Sequence, residues 1–158
     1  MKVFVLNGPN LNLLGEREPD IYGERTLDDL EDMCRARGKD LGLEIDFRQS
    51  NYEGEIVDWL QDARNAADGV ILNAGALSHY SLAIHDAVVV ARVPVIEVHI
   101  SNVYAREEWR ETSVISSVAR GVIVGLGLEG YLLALDALAM ILATEATDAT
   151  GTTGEEER

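Results

Sequence analysis

Short apolar runs of strand length alternate with helical patterns along most of this chain, and that alternation leaves few folds open. Lys2 to Leu6 (KVFVL) stops at Asn7-Gly8-Pro9-Asn10, a cluster that cannot continue a strand. A polar loop from Asn7 to Arg25 follows, longer than most connections in compact domains; such loops are usually functional or disordered. Thr26 with Asp29 has the form of a capping box, and Leu27, Leu30, Met33, Cys34 and Leu41 then recur at helical spacing. Glu44 to Gln49 reads as a second strand. Ser50 and Glu53 suggest another cap, with Ile56, Val57, Leu60 and Ala63 as the buried stripe of its helix. Gly69 to Asn73 is a third strand, a helix runs roughly from Ser81 to Ala91, and Pro94 to His99 makes a fourth strand. Val122 to Val124 is a short fifth strand, and Tyr131 to Ala143 a last helix that is nearly all apolar.

Five parallel strands with right-handed crossovers predict an α/β fold, a flavodoxin-like three-layer sandwich with strand order 2-1-3-4-5. Residues 1–143 form one domain in this reading. Residues 144–158 hold Thr, Ala, Gly and acid with no large apolar side chain, so they are expected to be a disordered tail.

The 28 acidic residues against 13 basic ones leave a net charge of -15. Such a field repels phosphate backbones, which argues against nucleic acid or an anionic membrane surface as partner. No apolar run approaches the roughly 18 residues that span a bilayer. A single cysteine excludes an internal disulfide, and no signal-peptide pattern precedes the first strand, so a cytoplasmic location is expected. Only Lys2 and Lys39 are lysines. Excess acid with scarce lysine fits a salty cytoplasm, and it fits equally a coding bias toward arginine.

Ligands of such folds sit beyond the carboxyl ends of the strands. The first strand is followed by Asn7, Asn10, Asn12, Arg17, Tyr22 and Arg25, and the third by Asn73, Ser78 and His79. The fourth carries Glu97 and His99, then Ser101 and Asn102, with Arg106 and Arg110 beyond. Glu97 and His99 are two apart, so they leave one face of the strand together. A glutamate in an apolar parallel strand is expensive unless paired. A core histidine with a structural partner would also satisfy it, but the convergence of three strand ends favours a polar pocket.

Several other features lead elsewhere. Gly125 to Gly130 (GLGLEG) matches a dinucleotide fingerprint, yet no further strand follows its helix, so it reads as a tight turn with close helix packing. Cys and His show no zinc-like spacing, and Cys34 sits among core positions of a helix. Metal-free, cofactor-free acid–base chemistry on a small polar anion remains, with arginines and asparagines binding the anion and Tyr22 and His99 moving protons.

Val5 to Asn12 (VLNGPNLN), Gly15 to Pro19 (GEREP) and Tyr22-Gly23 resemble the opening signature of the type II 3-dehydroquinate dehydratases. Ile71 to Gly75 with Ser78-His79 and Asp86-Ala87 resembles that family's second block, and Ile96 to Asn102 with Ala105 to Glu108 and Arg110 its third. Gly121 to Gly127 and Leu133 to Leu135 are similar to its closing strand and helix. The resemblance implies conversion of 3-dehydroquinate to 3-dehydroshikimate by anti elimination of water through an enolate, in aromatic biosynthesis or quinate breakdown, without a cofactor. Carried over, it makes Tyr22 the base that removes the C2 proton, Arg17 the cation that stabilises its phenolate, and Asn10 the holder of a water or donor facing the enolate oxygen. It makes His99 the acid for the departing C1 hydroxyl, oriented by Glu97. Asn73 and the backbone of Ile100 and Ser101 would bind the substrate carboxylate. His79, Arg110 and Asp86 would read the ring hydroxyls, Asp86 reaching from a neighbouring subunit, because the family assembles as trimers packed into dodecamers. A phenol is a weak acid, so a basic tyrosine needs a cation beside it, and an arginine cannot lose its charge. The unrelated type I chemistry needs a pocket lysine, and neither Lys2 nor Lys39 falls there. A small-anion or flavin-binding module without turnover is the other function this fold admits.

Overall fold

Five strands pair in parallel in the order β2-β1-β3-β4-β5, which is the flavodoxin-like order expected from the alternation of elements. The computed structural model describes residues 1–151. The strands are β1 (Lys2–Asn7), β2 (Glu44–Gln49), β3 (Gly69–Asn73), β4 (Val95–His99) and β5 (Gly121–Val124). Between and after them lie α1 (Pro19–Tyr22), α2 (Leu27–Leu41), α3 (Glu53–Ala66), α4 (Leu82–Ala91) and α5 (Glu129–Gly151). Helices α2 and α5 cover one face of the sheet, where Val3, Val5, Ile71 and Val98 meet Leu30, Tyr131, Leu135 and Leu138. Helices α3 and α4 cover the other, where Phe4, Leu6, Val70 and Leu72 meet Ile56, Leu60, Ile84 and Val88. Both faces are buried, so the central strands carry apolar residues at successive rather than alternate positions.

Local signals behave in two ways. The Thr26–Asp29 capping box forms in full, with reciprocal bonds of 2.8 and 3.2 Å. The second expected cap does not. Tyr52 is the N-cap of α3, and Ser50 instead holds the Tyr52 N–H at 2.9 Å and donates to Glu55. Glu53 is drawn across to Ser81, whose hydroxyl donates to it at 2.5 Å while capping α4. Cys34 is fully buried in the core, and burial pushes its thiol up to about 12, consistent with packing.

Helix α5 runs past Ala143, where the sequence analysis ended the packed chain, so residues 144–151 are helical rather than disordered. Packing in the earlier turns nucleates the helix, and adding residues to an existing helix costs far less than starting one. Thr144 and Thr147 turn their hydroxyls back onto the carbonyls of Met140 and Ala143 at 3.0 and 2.9 Å, and Glu145 lies 3.8 Å from Arg120. The rest of the expected tail, residues 152–158, lies outside the described residues. By length and composition α5 could cross a bilayer, unlike any run foreseen in the sequence, but it buries Tyr131, Ala134, Leu135 and Leu138 against the sheet as a core helix does. The GLGLEG motif is a turn: Gly125 and Gly127 have φ of 84° and 64°, which favour glycine.

The exits of β1 and β3 touch. Gly8 donates to Asn73 O at 2.8 Å, and a Cβ on Gly8 would lie 2.5 Å from the carbonyl oxygen of Ala74. We therefore expect Gly8→Ala to destabilise the fold by about 1–3 kcal/mol, as overpacking does. Gly54→Ala, on a helix with nothing within 4 Å, should be neutral or slightly stabilising. Thermal unfolding of both variants checks the pair, and equal melting temperatures would contradict this packing.

Candidate active site

The carboxyl ends of β1, β3 and β4 open into a cleft. The polar loop after β1 forms its rim, ordered by a 3₁₀ turn at Leu11–Leu13 and by α1. Two of that loop's residues, Asn10 (φ 70°) and Glu18 (φ 43°), hold left-handed backbone, a conformation that side chains other than glycine adopt at a cost and that clusters at functional sites. The Asn10 N–H is fixed by Asn51 Oδ1 at 2.9 Å.

At the back of the cleft, His99 Nε2 meets Glu97 Oε1 at 2.7 Å. The Glu97 side chain is buried, 1% exposed. Burial alone would raise its carboxyl, but bonds from His99, Ser113 (2.6 Å to Oε1) and Ser116 (to Oε2) outweigh that and hold it below the usual carboxylate range. Sequence spacing foresaw the Glu97–His99 pair. The two serines, on the loop before β5, carried no motif that marked them.

Tyr22, on α1, lines the same cleft as His99. The expected cation, Arg17, lies 5.8 Å from its ring and pairs with Glu18 at 3.2 Å. The direct contact comes from Arg106, whose Nη1 donates to the Tyr22 hydroxyl at 2.6 Å and reaches Ser101 Oγ at 3.2 Å. The side chain of Arg106 is 9% exposed against 39% for Arg17, so its charge acts through less water. The sequence analysis placed Arg106 beyond the fourth strand and in the third resembling block, but gave it no role.

On the third side, His79 Nδ1 bonds the Thr112 carbonyl at 2.7 Å, which makes Nδ1 the protonated nitrogen and leaves Nε2 to accept when the ring is neutral. Burial lowers this histidine, opposed in part by that carbonyl. Its ring stacks 6.1 Å from His99 and meets Trp109 edge-on at 5.3 Å. The Arg110 guanidinium covers Trp109 at 4.1 Å and is held by Glu107 at 2.7 Å. Trp109, without a role in the sequence reading, thus packs between two expected substrate-reading groups. Asn73, Ile100 and Ser101 complete the floor.

Comparison with known proteins places this geometry. Residues 1–139 match the model of a family described as dehydroquinase class II. The chain belongs to that family. It is 57% identical over 141 residues to a 3-dehydroquinate dehydratase of Rhizobium johnstonii, covering 89% of this chain and 97% of that one. It is 59% identical over 143 residues to one from Brucella canis, covering 90% and 91%. Among solved structures, a type II dehydroquinase from Propionibacterium acnes superposes with a TM-score of 0.86 at 49% identity, covering 88% of this chain and 96% of that one.

Of the residues the class II resemblance singled out, Asn10, Arg17, Tyr22, Asn73, His79 and His99 line the cleft, as do Ile100, Ser101 and Arg110; Glu97 stands behind His99. Asp86 does not join them. It lies on α4 with its side chain 83% exposed, 3.0 Å from His85 Nδ1.

Because the Glu97 carboxyl is held below its unfolded value of 4.5, its contribution to stability is present above that pH and is lost as pH falls through the lower folded value. The melting-temperature advantage of the wild type over Glu97→Gln should be full near neutral pH and should shrink below about pH 4.5. An advantage unchanged down to the acid unfolding limit would contradict an ionised Glu97.

Proposed function

We infer that this chain dehydrates 3-dehydroquinate to 3-dehydroshikimate and water, the reaction of the shikimate pathway for which its class II relatives are named. The observation that carries the reading is the presence, in one cleft, of a phenol bonded to a buried arginine and an imidazole bonded to a buried carboxylate. We assign the roles as follows. Tyr22, as phenolate, takes the C2 proton; Arg106 directly and Arg17 at longer range favour the charged phenolate, because a cation lowers the cost of the negative form. Negative charge develops on the enolate oxygen, where Asn10 holds the neutralising water or donor. His99 then gives its proton to the C1 hydroxyl, which leaves as water, and Glu97 compensates the imidazolium before that transfer. A proton moving from Tyr22 to His99 through solvent resets the site.

The rest of the cleft binds the anion. Asn73 and the backbone at Ile100 and Ser101 take the substrate carboxylate, while His79 and Arg110 read ring hydroxyls. Asp86, turned away from its own cleft, serves a neighbouring subunit in our reading of a homo-oligomer of trimers assembled into a dodecamer. The exposed Leu82, Val89 and Val90 on the same helix support burial of that surface between copies. We place the reaction in the cytoplasm, in keeping with the soluble biosynthetic family and the lone, buried cysteine.

Loss of the Tyr22 hydroxyl tests the first step. In an assay of the ultraviolet absorbance of the conjugated enone product, Tyr22→Phe should lower kcat by at least ~10²–10⁴-fold. KM should stay near the wild-type value, because the binding contacts lie elsewhere. Turnover near wild type in this variant would move the base to another residue.

A further inference from the structure

Beneath the floor of the cleft a buried hydrogen-bond chain links β1, α5 and β3. Its direction follows from its ends. The Asn7 amide sets Nδ2 3.0 Å from the Arg48 carbonyl oxygen, which can only accept, so Asn7 Oδ1 faces inward. At the other end Asn73 Oδ1 lies 3.1 Å from the Gly75 N–H, which can only donate, so Asn73 Nδ2 faces inward. Between them sits the hydroxyl of Tyr131, a fully buried residue of α5, 2.7 Å from Asn7 Oδ1 and 2.9 Å from Asn73 Nδ2. A hydroxyl has one proton. Tyr131 must give it to Asn7 and accept from Asn73. Burial also pushes this phenol up, so it stays protonated and keeps that direction.

We propose that Tyr131 and Asn7 are positioning residues that fix the polarity of the cleft floor. With one Nδ2 hydrogen engaged by Tyr131 and Oδ1 held by the Gly75 N–H, the donor that Asn73 has left for the cleft is its second N–H. The floor therefore presents a donor of fixed position to an acceptor oxygen, such as a carboxylate. This rests on Asn73 contacting the substrate, as assigned above. Neither Tyr131 nor Asn7 touches substrate. Each acts through Asn73.

A double-mutant cycle read in KM tests the relay. Tyr131→Phe keeps the ring volume and removes the acceptor, so Asn73 Nδ2 turns from the cleft in search of a partner. KM should rise roughly three- to tenfold, the equivalent of about one net hydrogen bond, with a smaller change in kcat. Asn73→Ala should raise KM on its own, and adding Tyr131→Phe to it should raise KM no further. Effects on KM that multiply would show a general structural role and overturn the relay. An unchanged KM in Tyr131→Phe, with a raised one in Asn73→Ala, would overturn the relay and leave Asn73 as a substrate contact. An unchanged KM in Asn73→Ala would remove Asn73 from substrate binding, and the relay with it. If orphaned Asn7 Oδ1 prevents Tyr131→Phe from folding, Asn7→Leu combined with Tyr131→Phe removes both partners of that bond. The combined variant should fold and show the same rise in KM; a wild-type KM there would equally refute the proposal.

Discussion

A buried carboxylate sits in the fourth strand of this sheet, and much of the carboxyl edge is arranged to keep it charged. Glu97 has two oxygens to satisfy, and it does so with His99, Ser113 and Ser116. Removing an ionised carboxylate from water without such partners is strongly unfavourable. The loop before β5 must therefore turn back under β4, and Ser113 is itself fixed there by accepting the N–H groups of Ile115 and Ser116 at 3.1 and 3.2 Å. The imidazole beside the carboxylate gains a counter-charge that does not move. That is the condition for a histidine acting as an acid toward a hydroxyl, a poor leaving group.

The Tyr22 side of the cleft solves the complementary problem. A protein of charge -15 is hostile ground for a phenolate and for an anionic substrate, yet the cleft gathers Arg17, Arg106 and Arg110. Arg106, nearly buried, bonds the Tyr22 oxygen and lies 3.6 and 3.9 Å from Glu107 and Glu18, and Arg17 and Arg110 are tied to the same two glutamates. The overall acidity acts at long range and is screened by salt, whereas these guanidinium groups act within a few ångströms. In the proposed mechanism it is this local positive charge, not the net negative charge, that favours the phenolate.

What could be read in the sequence divides along physical lines. Asn7, Asn73, Glu97 and His99 stood out because a parallel sheet aims its strand ends at one edge, a rule that needs only strand order. The capping box at Thr26 was legible because both partners lie within one turn. Arg106 on Tyr22 joins residues 84 apart, and Tyr131 on Asn7 joins residues 124 apart. No local pattern reports such meetings. Ser50 and Glu53 misled because they do not bond each other: Ser50 holds the Tyr52 N–H and Glu55, and Glu53 is drawn across to Ser81. Residues 144–151 misled because composition without large apolar groups was read as disorder, although Ala and Glu extend a helix that packing has already started.

The proposed mechanism divides the labour: Tyr22 takes a proton from carbon, and His99, bonded to Glu97, gives one to oxygen. His99→Ala incubated with substrate in deuterated water separates the two steps. The account predicts that deuterium enters C2 of recovered 3-dehydroquinate while 3-dehydroshikimate formation nearly stops. Loss of exchange together with loss of product, in a folded variant that still binds substrate, would show that His99 is needed for the first proton transfer and would contradict the account.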